Sequence, residues 1–242
     1  MTRQKIIKII VQGDKLMKYE ILLFDVDNTL LDFDANEAES FKNMIRDKGH
    51  EYSEEMYEKY KEMNHGMWKA LERGEITVNE LINTRFAKLM SMYGENVDGA
   101  DYEKTYRSYL NKGLQEMPDV HEVLSELKKD YKLYVITNGL VETQKYRMKG
   151  SGLDKYFERS FISEKVGANK PSSIFFDHVK NNIEGFDASK ALVIGDSLTS
   201  DIKGGNLAGI DTCWICREGT VNDTEIKPTY VINSLRELND IL

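Results

Sequence analysis

The 242 residues carry 41 acidic against 33 basic side chains, for a formal charge of −8 at pH 7, and 40% of them are hydrophobic. A chain of this size buries a substantial core, while its negative field argues against a nucleic-acid polymer as partner, since no Lys/Arg-rich run or basic-aromatic stripe overrides it. The longest apolar runs, ILLF at 21–24 and ALVIG at 191–195, have strand length and fall far short of a bilayer, so a soluble protein with no membrane partner is expected.

Met1 to Leu16 holds three lysines and an arginine around IIKII, with neither a long apolar region nor a small-residue cleavage site, and reads as no secretory signal. Residues 1–17 are an N-terminal extension in this reading. Translation is expected to start at Met17, because codons for Gln12-Gly13-Asp14 can spell a purine-rich ribosome-binding site just upstream; a native mass beginning at Met1 would refute this.

YEILLFDVDNTL starts as an apolar strand and ends abruptly in acids, which is where α/β sheets place ligands. From Asp34 to Leu114 the pattern turns helical, with apolar residues at Phe41, Met44 and Ile45, then Met56, Tyr60, Met63 and Met67, then Leu81, Phe86 and Leu89. After Pro118 helices and strands alternate: helix 119–129, strand KLYVIT, helix 141–149, a strand near 160–162, helix 172–182, strand ALVIG, helix 199–208 and strand TCWI. Such alternation predicts an α/β fold, a Rossmann-like parallel sheet covered on both faces. The core is expected over 18–32 and 116–242, with an inserted α-helical cap over 33–115 that leaves just beyond the acids, where a lid can exclude water and read a substrate.

Asp25 and Asp27 stand two apart at a strand end, so both carboxylates emerge on one face and repel unless one keeps a proton or a cation lies between them. Later strands end in Thr137-Asn138-Gly139 and in Gly195-Asp196-Ser197, with Asp201 beyond, and deliver polar groups to the same edge. Together with Lys170 in the turn-like NKPSS these residues make a phosphate site. Asp25, Asp196 and Asp201 are hard oxygen ligands suited to magnesium; Thr137, Asn138 and backbone amides donate to phosphate oxygens; Lys170 offsets the crowded charge.

FDVDNTL, VITNG, ANKP and VIGDSLTSDIKGG, in that order from Phe24 to Gly205, resemble the four motifs of the haloacid-dehalogenase-like phosphatase superfamily. The resemblance implies that Asp25 attacks phosphorus to form an aspartyl-phosphate and that Asp27 protonates the leaving oxygen and then activates water. It also implies catalytic roles for Thr137 and Lys170, phosphate binding by Thr137, Asn138 and Lys170, and a Mg2+ site at Asp25, Asp27, Asp196 and Asp201. The acid at Asp27 separates the chain from dehalogenases, which lack it. The insert between the first two motifs is similar to the helical (C1) cap of phosphoglycolate, acylneuraminate and pyrimidine nucleotide phosphatases.

The run from VITNG through ANKP, with GDSLTSDIKGGNLAGIDTCWI, is similar to bacterial pyrimidine 5′-nucleotidases that act on deoxyuridine, thymidine and non-canonical nucleotides. A cytoplasmic Mg-dependent 5′-nucleotidase of nucleotide metabolism, monomer or homodimer, acting on a small phosphorylated metabolite, is the implied activity. Phosphoglycolate or sugar phosphatase, sugar phosphomutase and non-catalytic binder stand as alternatives.

Asn64, His65, Trp68, Arg85 and Phe86 in the cap offer stacking and hydrogen-bonding groups for a base or sugar; equally, Trp68 and Phe86 can be cap core and Arg85 a solvated face. Cys213 and Cys216, three apart on a strand, point to opposite faces and cannot both bind one metal, so free buried thiols are expected. His50, His65, His121 and His178 show neither metal nor triad spacing.

Overall fold

The computed structural model describes residues 18–217 and 219–242; the extension 1–17, with the expected start at Met17, lies outside the described residues. Six strands form one parallel sheet in the order β3-β2-β1-β4-β5-β6. These are β1 (Ile21–Phe24), β2 (Lys132–Thr137), β3 (Arg159–Ile162), β4 (Ala191–Gly195), β5 (Asp211–Ile215) and β6 (Tyr230–Ile232). Every residue of β1 and β4 is buried, as a parallel sheet with two covered faces requires. Leu22 and Phe24 of β1 join one hydrophobic cluster with Val120, Val123, Leu124 and Leu127, while Ile21 and Leu23 pack on the other face against Phe175, Phe176 and Val179.

β1 is central, and the chain leaves it for β2 on one side and later returns to β4 on the other. The C-terminal ends of β1, β2 and β4 therefore flank a topological switch point, where the crevice of such sheets opens. β6 was not among the expected strands: YVI between Pro228-Thr229 and Asn233-Ser234 is too short for a period to be read, and it forms only by pairing beside β5.

Between β1 and β2 run α1 (Phe33–Asp47), α2 (Glu54–Glu72), α3 (Val78–Ser91), α4 (Gly99–Leu110) and α5 (Val120–Leu127). Asn28, with φ 62°, turns the chain out of the sheet edge just after Asp27, a left-handed position that asparagine tolerates. Asp32, Ser53, Thr77 and Asp98 then start α1 to α4, each side chain accepting from a backbone N–H of the first turn. Thr77 and Glu80 form a reciprocal capping box.

The apolar faces of α1 to α4 close on an aromatic cluster in which Tyr60 stacks on Phe41 at 4.6 Å and on Phe86 at 5.4 Å between ring centroids. The expected apolar positions Phe41, Met44, Ile45, Met56, Phe86 and Leu89 all fall in this cluster.

Beyond β2 come α6 (Val141–Gly150), α7 (Ser163–Val166), α8 (Ser173–Asn181) and α9 (Lys203–Leu207). The expected helix 199–208 splits: Leu198–Ile202 winds as a wider turn, Ile202 N–H bonding Ser197 carbonyl at 3.2 Å, before α9 begins. Cys213 packs in one sheet-face cluster and Cys216 in a separate one with Ile202 and Trp214; both thiols are free, and burial pushes Cys213 up to about 12. Among the described residues, no helix is long and apolar enough to cross a membrane.

Candidate active site

Asp25 is the first residue beyond β1, fixed by its N–H to the Ile194 carbonyl at 2.9 Å. Lys170, carried by the loop between α7 and α8, is 1% exposed and extends under the sheet edge. Its ammonium donates to Asp25 Oδ1 at 2.7 Å, Asp201 Oδ1 at 2.6 Å and the Ile136 carbonyl at 2.9 Å. Gly195 makes room for this arrangement: a Cβ there would stand 2.3 Å from Asp201 Oδ2. Asp201 in turn accepts from Ser197 N–H at 3.1 Å.

One carboxylate oxygen each from Asp25, Asp196 and Asp201 lie within 4.8 Å of one another. The Lys170 ammonium bonds two of them, Asp25 and Asp201, and the crowding of acids bears on the ionisation of Asp25 and Asp196. Burial pushes Asp25 up to about 7, with Lys170 pulling the other way and Asp201 and Asp27 adding to the rise. Asp196 is half-buried by exposed area yet deep in the cleft, and desolvation followed by Asp25 and Asp201 drives it well above the ordinary carboxylate range. Burial works against the Lys170 ammonium, but Asp201 and Asp25 outweigh it and hold its pKa above the usual value. Three carboxylates converging within 4.8 Å form an all-oxygen set that fits a hard divalent cation.

Asp27 does not join that group. Its carboxylate turns to α6, where Gln144 Nε2 donates to Oδ2 at 2.7 Å and Arg147 Nη1 bonds Oδ1. Thr137 closes β2, buried, and its hydroxyl accepts from Gly139 N–H and Gln144 Nε2, each at 3.0 Å. Asn138 braces the lysine loop: its amide donates to the Lys170 carbonyl at 3.0 Å while its oxygen accepts from Lys170 N–H at 2.8 Å. One of the two N–H donors of the Asn138 side-chain amide is thus engaged in holding Lys170.

A cavity of about 220 Å³ is lined by Asp25, Asp27, Thr137, Asn138, Lys170, Asp196 and Asp201 along the sheet edge and by Phe33, Trp68, Glu72, Arg85, Tyr106 and Arg107 from the inserted helices. Two hydrogen bonds cross it, Thr199 Oγ1 to Glu72 Oε2 at 2.8 Å and Arg107 Nη1 to Thr143 Oγ1 at 2.8 Å. Arg85 is no solvated face. It is 2% exposed and paired through two nitrogens with Glu103, at 2.8 and 2.9 Å.

Arg107 bonds the same Glu103, and Asn64 accepts from Arg85 at 3.0 Å and donates to Glu37 at 3.0 Å. Phe86 belongs to the aromatic cluster, Trp68 faces the cavity, and exposed His65 lines a neighbouring groove instead. Gln144, Arg147 and Thr143 escaped the sequence reading because VETQKYRMKG has no apolar face from which its buried side could be told; Glu72 on α2 and Arg107 on α4 escaped it because a lone charged residue on an amphipathic helix reads as solvated.

Residues 22–215 match the family described as haloacid dehalogenase-like hydrolase. The chain is 41% identical to the pyrimidine 5′-nucleotidase PynA of Streptococcus pneumoniae, over 93% of this chain and 96% of that one. It is 30% identical to the pyrimidine 5′-nucleotidase YjjG of Escherichia coli, over 93% and 99%. Among solved structures, that of the HAD-hydrolase YfnB of Bacillus subtilis, bound to magnesium and revealing interdomain movement, superposes with a TM-score of 0.89 at 44% identity, covering 93% of this chain and 99% of that one.

Proposed function

This chain belongs to the haloacid dehalogenase-like hydrolase family, and from that premise we propose that it is a magnesium-dependent phosphatase of pyrimidine nucleoside 5′-monophosphates working through an aspartyl-phosphate on Asp25. The observation that carries this reading is the meeting, in one small cavity, of Asp25 held by Lys170 with a second acid, Asp27, kept apart from the cation cluster. The base preference rests on the two pyrimidine nucleotidases to which the chain is similar over nearly its whole length.

The reaction runs in two halves. An Asp25 carboxylate oxygen attacks phosphorus, the bond from phosphorus to the ester oxygen breaks, and that oxygen takes the Asp27 proton, releasing the nucleoside. The Asp27 carboxylate then takes a proton from water as the water oxygen attacks phosphorus. The bond to Asp25 breaks, inorganic phosphate leaves, and both acids return to their starting states.

Lys170 offsets charge on Asp25 and on the phosphoryl oxygens, and the Thr137 hydroxyl stands beside the phosphate seat. A magnesium ion bound by Asp25, Asp196 and Asp201 would supply further positive charge for the transferring group. The helices over 33–115 act as a cap, excluding water and presenting Trp68 and Phe33 as apolar and stacking surface for a base and sugar.

The test is phosphate release, with magnesium and with chelator, from deoxyuridine, thymidine, uridine and purine monophosphates, phosphoglycolate and hexose phosphates. Magnesium-dependent release led by pyrimidine nucleotides is expected. Preference for phosphoglycolate or a sugar phosphate would overturn the substrate class and keep the chemistry; no release would overturn both.

A further inference from the structure

We propose that Arg147 and Gln144 are positioning residues that hold the Asp27 carboxylate for its proton transfers, an inference that rests on the Asp27 role given above. Each oxygen of Asp27 is taken by one of them: Oδ2 by Gln144 Nε2 at 2.7 Å and Oδ1 by Arg147 Nη1. The two stand three apart on α6, one helical turn, and so address a single point above the sheet edge.

Arg147 is 0% exposed, the largest fully buried side chain among the described residues, yet its Nε and Nη2 have no hydrogen-bond partner among them. Its guanidinium therefore spends its burial on Asp27 alone, beneath the Phe33 ring at 5.5 Å. Desolvating a guanidinium for one partner returns little stability, so packing does not explain why an arginine stands there.

Gln144 is built in as firmly. Its amide bridges Asp27 to the Thr137 hydroxyl at 3.0 Å, tying the acid to the end of β2, and it fills the space that a side chain at residue 139 would occupy, since a Cβ on Gly139 would stand 2.3 Å from Gln144 Nε2. Asp27 itself keeps 27% of its side-chain surface exposed and lines the cavity. It is thus clamped from behind and open in front, as a group must be that hands a proton to a leaving oxygen and then draws one from water.

Leaving-group dependence separates this role from a structural one. A nucleoside leaves as an alkoxide that needs the Asp27 proton, whereas p-nitrophenolate leaves with almost no such help. Single-turnover cleavage of deoxyuridine monophosphate and of p-nitrophenyl phosphate would be compared in wild type, Arg147→Met, Arg147→Lys, Gln144→Met and Asp27→Asn, with thermal melts of each.

For Arg147→Met and Gln144→Met, nucleotide cleavage is expected to fall about 10²-fold with KM changed less than about threefold, while the p-nitrophenol burst stays within about threefold of wild type. Arg147→Lys should recover part of the loss. Equal losses on both substrates, or a change in KM alone, would overturn the positioning role, and Gln144→Met decides the matter if Arg147→Met fails to fold. Asp27→Asn separates the two levels. If it shows the leaving-group dependence and the α6 variants do not, only the positioning role falls; if it shows none, the Asp27 role itself falls.

Discussion

Along the sheet edge, the polar groups of the cavity stand at strand ends and in the loops just beyond, so that a few residues of local sequence fix each one: Asp25 after β1, Thr137 closing β2, Asp196 after β4. The opposite wall is made differently. Arg85, Glu103, Asn64 and Glu37 come from four separate helices and meet only because an aromatic cluster has already drawn those helices together. The first wall gathers three acids, suited to a cation and a phosphoryl group; the second pairs its charges internally and turns Trp68 and Phe33 to the cavity. Chemistry and choice of substrate are thereby separable, and substitutions on the two walls should fail in different ways.

The largest effect belongs to the sheet edge. Asp25→Asn keeps the side-chain size while removing the proposed nucleophile, and turnover of every substrate should fall by about 10⁴-fold or more with the melting curve intact; measurable turnover near the wild-type rate would break the distinction at once. Across the cavity, Glu103→Gln leaves Arg85 buried without its ion pair. A loss of about 3–5 kcal/mol in the stability of the helical part is expected by denaturant unfolding, whereas a loss of activity without destabilisation would move Glu103 into the chemistry.

Glu37 gives a pH test of the same wall. Burial, opposed by Arg85 and assisted by Asp34, pushes it up to about 7. An acid whose folded pKa lies above its ordinary value contributes stability that is full below about pH 4.5 and is lost as pH rises through about 7. Glu37→Gln should accept the same hydrogen bonds and abolish that loss, gaining up to about 3 kcal/mol over wild type at pH 8 and nothing at pH 4; equal curves at both pH values would place the charge elsewhere. The smallest effect is Trp68→Ala, expected to raise KM for pyrimidine nucleotides about tenfold, through lost stacking of about 1–1.5 kcal/mol, with kcat nearly unchanged. A fall in kcat alone would make Trp68 part of the machinery of closure instead.

The same contrast explains what the sequence made legible. A buried parallel strand ending in acids is recognisable from a dozen residues, so the sheet, its polar edge and the grouping of Asp25, Asp196, Asp201 and Lys170 are legible in the sequence. Arg85 could not: a lone arginine on an amphipathic helix reads as solvated, and its buried partner, Glu103, stands on the next helix of the insert. Arg147 and Gln144 lie on a helix whose buried face is polar, which hydrophobic periodicity cannot detect. Asn138 was legible as a site residue, but its hold on the Lys170 backbone was not, because that backbone arrives only through the tertiary fold.

The central claim is that phosphate passes through Asp25. Its most direct test is rapid acid quench of the magnesium-loaded protein with a deoxyuridine monophosphate carrying radiolabelled phosphate, followed by peptide mapping, in wild type, Asp27→Asn and Asp25→Asn. Label should appear on the peptide containing Asp25, accumulate in Asp27→Asn if water activation slows more than transfer to Asp25, and be absent from Asp25→Asn. Turnover by wild type with no labelled protein in either wild type or Asp27→Asn, or label on a peptide without Asp25, would contradict the account.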